Sequence, residues 1–545
     1  MKGEKADLII HNANILAVDS KFSTAKTMAI ADGKLIYIGN SNNIAAWQDS
    51  STRVIDIKGH TVLPGFIEPH THPITSATLY EWIDVSGATH GTAKKAIRHL
   101  KKALKEIPAG QWVLAFGWDF MQLEGAIPLT KDYLDEHVSD KHPVWVMMQS
   151  MHTSYFNSLG LQKGGITKNT PNPLGGGYYE KNDLGELTGV TTETATVMPM
   201  VATLPKMTNS QAKILLDRMY RRYNSSGITT IGATGMIDLM SGVDAYSICK
   251  ELSEADPLPI RLYYYNIGTG TPATHNDNKS NNQLELLGQK YWVDGSPYTG
   301  SMLLREPYLS SVLNRNLGIK EGSQGHAMFE APYYQKFFKS SIDSNFQLSV
   351  HVQGDSAVQL ALNSLSALKS EGVPIDQRRH RFEHLALVTE AQLSSMKSMN
   401  ITPSFHINHI YYYGDSLASS IIGSTRAERL MPLKSALQRG HKLTLHNDSP
   451  MYRPNPLLSM RTAITRLTKQ GLRLGPEEGI NIEEAIRAVT INAAWQLHAE
   501  DVIGSLELGK RADFVILDKN PTQIPATDLD QIRILATFID GQKVL

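Results

Sequence analysis

Histidine and aspartate side chains become a metal site when several of them are brought to one rim, and this chain offers such residues at four places. Pro64-Gly65-Phe66-Ile67-Glu68-Pro69-His70-Thr71-His72 closes an apolar run on a His-x-His pair. In an extended strand residues i and i+2 share a face, so His70 and His72 point one way and Thr71 the other. Further along, Ser349-Val350-His351-Val352-Gln353 places His351 on one face with Ser349 and Gln353, and Phe382-Glu383-His384 and Thr444-Leu445-His446-Asn447-Asp448 end two more apolar runs. Taken singly, each is as well read as a core histidine or a hydrogen-bonded aspartate. Together, imidazoles with a carboxylate suit zinc or a related divalent ion in an open site of catalytic style. The single cysteine, Cys249, excludes an intrachain disulfide and a Cys-based zinc knuckle.

The elements that would position these residues are short apolar strands alternating with helix-length segments. Candidate strands fall at 61–72, 229–234, 260–265, 289–295, 348–354, 380–385, 401–409 and 442–448. Eight parallel strands with intervening helices close into an α/β fold, the (β/α)8 or TIM barrel, whose chemistry sits at the C-terminal strand ends. The intervals agree with that geometry. His351 to His384 is 33 residues, one βα unit, and His384 to Asp448 is 64, two units that skip a strand ending in His409. From His72 to Thr229 the chain runs 157 residues, where one βα unit needs roughly 30. Residues 75–205 are therefore read as an inserted subdomain over the barrel mouth. It carries a basic helix over 93–107, read as a solvated face, and a hairpin-like stretch from Gly175-Gly176-Gly177 to Asp183-Leu184-Gly185. Neither phosphate-binding glycine pattern is present.

Both chain ends are rich in strands instead. Residues 7–18 read as strand, turn, strand, and Asp32-Gly33 between apolar runs is a hairpin signal. Residues 512–518 and 534–541 repeat the style. Lysine plus arginine and aspartate plus glutamate number 53 each among 545 residues, which argues against a nucleic-acid or anionic-lipid partner and for a small-molecule substrate. No apolar run approaches the roughly 18 residues of a membrane span, and Met1-Lys2-Gly3-Glu4 opens no signal segment. The expected location is cytoplasmic, with export reopened by a native start upstream of Met1.

These residues resemble the amidohydrolase superfamily, and specifically its amidohydrolase 3 (YtcJ-like) branch. The resemblance covers nearly the whole chain. It rests on the 63–72 motif, on Gly504-Ser505-Leu506-Glu507-Leu508-Gly509-Lys510-Arg511-Ala512-Asp513-Phe514, and on Gly117-Trp118-Asp119, His152 with Asn157-Ser158, Gly185-Glu186-Leu187-Thr188-Gly189, Asp294-Gly295, Arg379-His380-Arg381-Phe382-Glu383-His384 and Asn455-Pro456-Leu457. It implies a composite β-sandwich from 1–60 and 495–545 beside a barrel of 61–74 and 206–494. It implies His70, His72, His351 and His384 as metal ligands, Asp448 as ligand and general base, and one or two ions, zinc first. Lys290 is by itself an ammonium donor, a substrate or ion-pair lysine; the resemblance implies that it can be carboxylated by carbon dioxide and so become a ligand. The resemblance is also compatible with a homodimer.

Two stretches depart from the branch. His446-Asn447-Asp448-Ser449-Pro450 stands where Gly-Ser-Asp-Ala-Pro is usual, and His406-Ile407-Asn408-His409 where Gln-Pro-x-His is usual. The expected reaction is hydrolysis of a non-peptide amide-type C–N bond, with Trp118, His152 and His409 as candidates to bind the carbonyl or the leaving group. A lactone, another ester or an isomerisation on the same site stays open, as does a non-catalytic binding protein on an inherited barrel.

Overall fold

The computed structural model describes residues 5–40, 44–235, 244–255, 257–268 and 283–545; Met1 to Glu4 lie outside them. Eight parallel strands form one sheet in which each strand neighbours the next in sequence: β1 Phe66–Thr71, β2 Ile228–Thr234, β3 Arg261–Ile267, β4 Leu284–Trp292, β5 Gln347–Val352, β6 Arg381–His384, β7 Thr402–Phe405 and β8 Thr444–Leu445. All eight lie within or beside the segments picked out by apolar runs, because strands buried on both faces read as continuous apolar stretches; every residue of β2 and β5, for instance, is buried. Two of the helices between them begin on capping boxes, at Thr208 before Asn209–Ser225 and at Thr389 before Glu390–Ser398, so these helix starts are written into the preceding loop.

The ring is joined between β1 and β8 by side chain as well as backbone. The Asn447 backbone N–H lies 3.1 Å from both Glu68 carboxyl oxygens, and Asn447 Nδ2 donates to Glu68 Oε2 at 2.6 Å. The His72 N–H donates to the Ser449 carbonyl at 2.9 Å. Burial pushes the Glu68 carboxyl up to about 8 against these bonds.

Two local expectations are corrected. The run over 61–72 is two strands, because the chain changes sheets at Gly65, where a Cβ would lie 2.2 Å from Thr229 Oγ1. Thr61–Pro64 pairs outside the barrel, antiparallel with Phe514–Leu517 and parallel with Asn14–Leu16. The strand, turn, strand read over 7–18 is present as Leu8–His11 and Asn14–Leu16, which lie in two different sheets. The segment over 401–409 leaves its strand at Phe405, so His409 sits in the helix Asn408–Ser416 and not at a strand end.

The Asp32-Gly33 turn is as the sequence indicates, with φ of 49° and 72° between Thr27–Ala31 and Lys34–Gly39. Strands from both chain ends share a six-stranded sheet, and a four-stranded N-terminal sheet has apolar side chains in the same cluster. The buried Arg261 of β3 ties this region to the barrel through Asp513 at 2.6 Å and Asp540 at 2.5 Å. Between β1 and β2 lies a further six-stranded sheet, Ile83–Asp84 to Leu187–Thr192, flanked by the helix Ala93–Ala103 whose Ala96, Ile97 and Leu100 are buried while its lysines face outward. Among the described residues no helix is long and apolar enough to cross a membrane.

Because Glu68 titrates near 8 in the folded chain, above its ordinary 4.5, its contribution to stability is complete below about 4.5 and is lost as pH rises through about 8. Glu68→Gln should therefore gain stability relative to the unsubstituted protein between pH 5 and pH 9, read as diverging denaturant midpoints. Parallel midpoints across that range would show that burial of Glu68 carries no ionisation penalty.

Candidate metal centre

At the C-terminal end of the barrel His70, His72, Lys290, His351, His384 and Asp448 line one cavity of about 60 Å3, with His152, His406 and His409. The expected alternation holds at β1: Thr71 turns away to Tyr223 Oη at 2.7 Å, while His70 and His72 turn to Asp448. Two of the strand ends achieve this through left-handed backbone, with φ of 73° at His384 and 57° at Asp448. For a residue with a Cβ that conformation costs roughly 1–2 kcal/mol, and strain of this kind collects where side-chain placement matters.

The two Asp448 oxygens divide the histidines between them. Oδ1 is 3.0 Å from His72 Nε2 and 3.6 Å from His70 Nε2; Oδ2 is 3.8 Å from both His384 Nδ1 and His406 Nδ1. His72 Nδ1 lies 3.1 Å from the Gly235 carbonyl, and His70 Nδ1 lies 2.9 Å from Glu383 Oε2. A carbonyl or an ionised carboxylate can only accept, so these Nδ1 atoms carry protons, and in a neutral ring Nε2 then presents a lone pair to the Asp448 oxygen. Lone pairs facing a carboxylate need a cation between them, and the donor set is the one that holds a divalent ion. The triads His70–His72–Asp448, His70–His384–His446 and His384–His406–Asp448 each bring their donor atoms within 4.8 Å of one another.

The electrostatics favour ligation too. Burial holds His70, His351 and His384 well below the usual imidazole range, with neighbouring cationic groups adding to it, so their rings are neutral at pH 7. Burial opposes the charge of Asp448, and it is held well below the usual carboxylate range only where positive charge faces its oxygens, as a proton on His72 Nε2 or a cation in its place supplies. Lys290 reaches in from β4 with Nζ 3.3 Å from His70 Nε2, and burial pulls its amine down to about 8. Glu383, whose carboxylate orients His70, is itself paired with the buried Arg381 at 2.8 Å. Sequence reasoning named Glu383 only as part of a motif.

The inserted segment supplies His152, whose Nδ1 is 2.7 Å from Glu193 Oε2; burial opposes its charge, yet Glu193 raises its pKa above the ordinary value. Ser301, after β4, donates to the other Glu193 oxygen at 2.7 Å. His409 is held by the Tyr298 hydroxyl and by Gln353 Nε2 at 3.3 Å. Trp118 does not line the cavity. Its indole is buried in an apolar cluster with Val85, Leu134 and Met148, and Nε1 donates to the Ile127 carbonyl at 3.1 Å. The neighbouring Asp119 is the residue of that motif that reaches the barrel, accepting from Tyr413 Oη at 2.6 Å.

His406 and His446 are site residues that the sequence reading marked only as departures. His446 stacks on His70 with ring centres 4.6 Å apart, and its nitrogens lie 2.8 Å from Ser404 Oγ and 3.2 Å from His384 Nδ1. The signal available for both was histidine at motif positions usually held by glycine and glutamine.

Comparison with known proteins agrees with this architecture. The model described as Amidohydrolase family matches residues 53–545. The chain is 25% identical to the N-substituted formamide deformylase of Arthrobacter pascens over 98% of its own length and 97% of the relative's. It is 27% identical to Protein LONG AFTER FAR-RED 3 of Arabidopsis thaliana, over 99% and 92%. An uncharacterized metal-dependent hydrolase from Pyrococcus horikoshii OT3 superposes with a TM-score of 0.72 at 21% identity, covering 95% of this chain and 99% of that one, which is a likeness of fold. With the family model spanning the barrel and its histidine-rich rim, the chain belongs to the amidohydrolase family, as a hydrolase acting on carbon–nitrogen bonds other than peptide bonds.

Proposed function

We propose that this hydrolase cleaves a small N-formyl or other N-acyl amine, or a cyclic amide, beside a divalent ion, zinc by its donor set, held by His70, His72, His351, His384 and Asp448. The observation that carries the reading is the Asp448 carboxylate with imidazole nitrogens arrayed at both of its oxygens. The similarity to a formamide deformylase along nearly both full lengths supports the choice of bond. When bound, such an ion activates water and polarises a scissile carbonyl.

Asp448 is ionised throughout the neutral range and so is free to take a proton from water. Asp448 then passes the proton on to the leaving nitrogen. His152, whose protonated form Glu193 favours, donates to the carbonyl oxygen as negative charge builds there, and His409, clamped by Tyr298 and Gln353, forms the facing wall. Trp118 has no substrate role in this reading.

Lys290 carries the carboxylate added by carbon dioxide. An amine drawn down to about 8 is substantially unprotonated at mildly alkaline pH, the form that attacks carbon dioxide. In the same reading residues 1–60 and 495–545 make a composite sandwich that also takes in Thr61–Pro64, residues 206–494 complete the barrel, and 75–205 form the inserted unit.

Asp448→Asn should keep bound metal while lowering kcat by about 10²–10⁴-fold on the best substrate in a panel of N-formyl amines, N-acyl amines, cyclic amides and lactones. Full activity in that variant, or turnover confined to lactones, would sink the proposal. Protein equilibrated with ¹³C-bicarbonate above pH 8 should show a carbamate carbon resonance that Lys290→Ala lacks; identical spectra would leave Lys290 an amine.

A further inference from the structure

Among the described residues, His406 is the buried side chain neither of whose ring nitrogens makes a well-formed hydrogen bond while the ring faces a carboxylate, its polar neighbour besides Asp448 being the Asn447 backbone. The ring is fully enclosed, with His409, His446 and Tyr452 around it at centroid separations of 4.2, 5.1 and 5.9 Å. Leaving a buried polar group unsatisfied destabilises a fold, so the enclosure makes sense only if something else meets this ring.

The distances say what. His406 Nδ1 and His384 Nδ1 each lie 3.8 Å from the same Asp448 oxygen, Oδ2. That is too long for a hydrogen bond. It is near the separation of two donors on one tetrahedral ion, which for ligand bonds of about 2.0–2.2 Å is roughly 3.3–3.6 Å. The three donor atoms lie within 4.8 Å of one another, and His384 Nε2 is also without a partner. His446 differs: one of its nitrogens lies 2.8 Å from Ser404 Oγ, and the other lies 3.2 Å from His384 Nδ1, a contact that an ion on His384 Nδ1 would replace. Asp448 Oδ1 meanwhile faces the other pair, His70 and His72.

We infer that His406 is a metal ligand, completing with His384 and the Oδ2 atom of Asp448 a set separate from the His70–His72–Oδ1 set, so that Asp448 can bridge two ions. This rests on the metal-dependent reading above, and adds to it a ligand at a position where related chains usually carry glutamine. It does not depend on whether Lys290 is carboxylated.

The test uses the full-length protein loaded with Co²⁺, read by absorption spectroscopy and by competition with a chelator. His406→Cys, which places a thiolate at the position, should show a near-ultraviolet thiolate-to-cobalt charge-transfer band that the unsubstituted protein, with only the buried Cys249, lacks. His406→Gln should hold one Co²⁺ at least ten-fold more weakly while the other ion, on His70 and His72, keeps its affinity. If the Cys variant loads the same cobalt without the band, and the Gln variant binds every ion as the unsubstituted protein does, His406 is not a ligand. If the unsubstituted protein itself takes up no cobalt, the metal-dependent reading falls and this inference with it, an outcome distinct from loss of His406 alone.

Discussion

A buried carboxylate with four imidazole nitrogens within 3.8 Å of its two oxygens is the constraint around which the rest of the molecule is organised. Neutral imidazoles and an anion do not attract one another through their lone pairs. The arrangement is held by the scaffold and satisfied by positive charge. Each scaffold feature near the site answers that need. Left-handed backbone at His384 and Asp448 turns two strand ends inward, the Glu383–Arg381 pair fixes the His70 ring, and the Gly235 carbonyl fixes His72. The bond from Asn447 to Glu68 closes the barrel one residue before Asp448. Strand order, which is only topology, becomes chemistry at that seam.

What was legible in the sequence is what local patterning controls. Strands buried on both faces show as apolar runs, and the two-residue period of a strand was enough to pair His70 with His72 and to turn Thr71 away. The Asp32-Gly33 turn follows from residues that tolerate positive φ. Whatever depends on partners remote in sequence was not legible. Nothing local says that Thr61–Pro64 leaves for another sheet; the reason is the Thr229 side chain against Gly65, more than 160 residues away. Nothing local separates His409, on a helix, from a strand-end histidine, and the inward aim of His406 shows only once β6, β7 and β8 stand side by side. Trp118 illustrates the opposite error: a large aromatic in a branch motif suggests substrate, yet its neighbour Asp119 makes the connection to the barrel.

The site is also not the property of the barrel alone. His152 belongs to the segment between β1 and β2, and its partner Glu193 is bonded on the other side by Ser301. Asp119 reaches Tyr413, whose ring lies against Tyr298, which in turn bonds to His409. Two chains of buried polar contacts therefore register the inserted segment against the barrel rim. Buried polar groups tolerate little displacement, because a half-satisfied network is worse than none. A shift of the inserted segment would unpair the buried Glu193 or Asp119, and that penalty keeps His152 aimed at the cavity.

The same reasoning explains why added histidines at positions 406 and 446 are tolerated. An extra imidazole in a buried wall must find partners or destabilise the fold. His446 finds one within the protein, in Ser404, and stacks on His70, so it stiffens the cluster. His406 makes no well-formed hydrogen bond. Two histidines on neighbouring strand ends thus differ in consequence because of one hydroxyl: Ser404 Oγ lies 2.8 Å from His446 Nδ1, and among the described residues no hydroxyl bonds to His406. The polar capacity of the rim is set by which of its imidazoles the fold leaves unsatisfied.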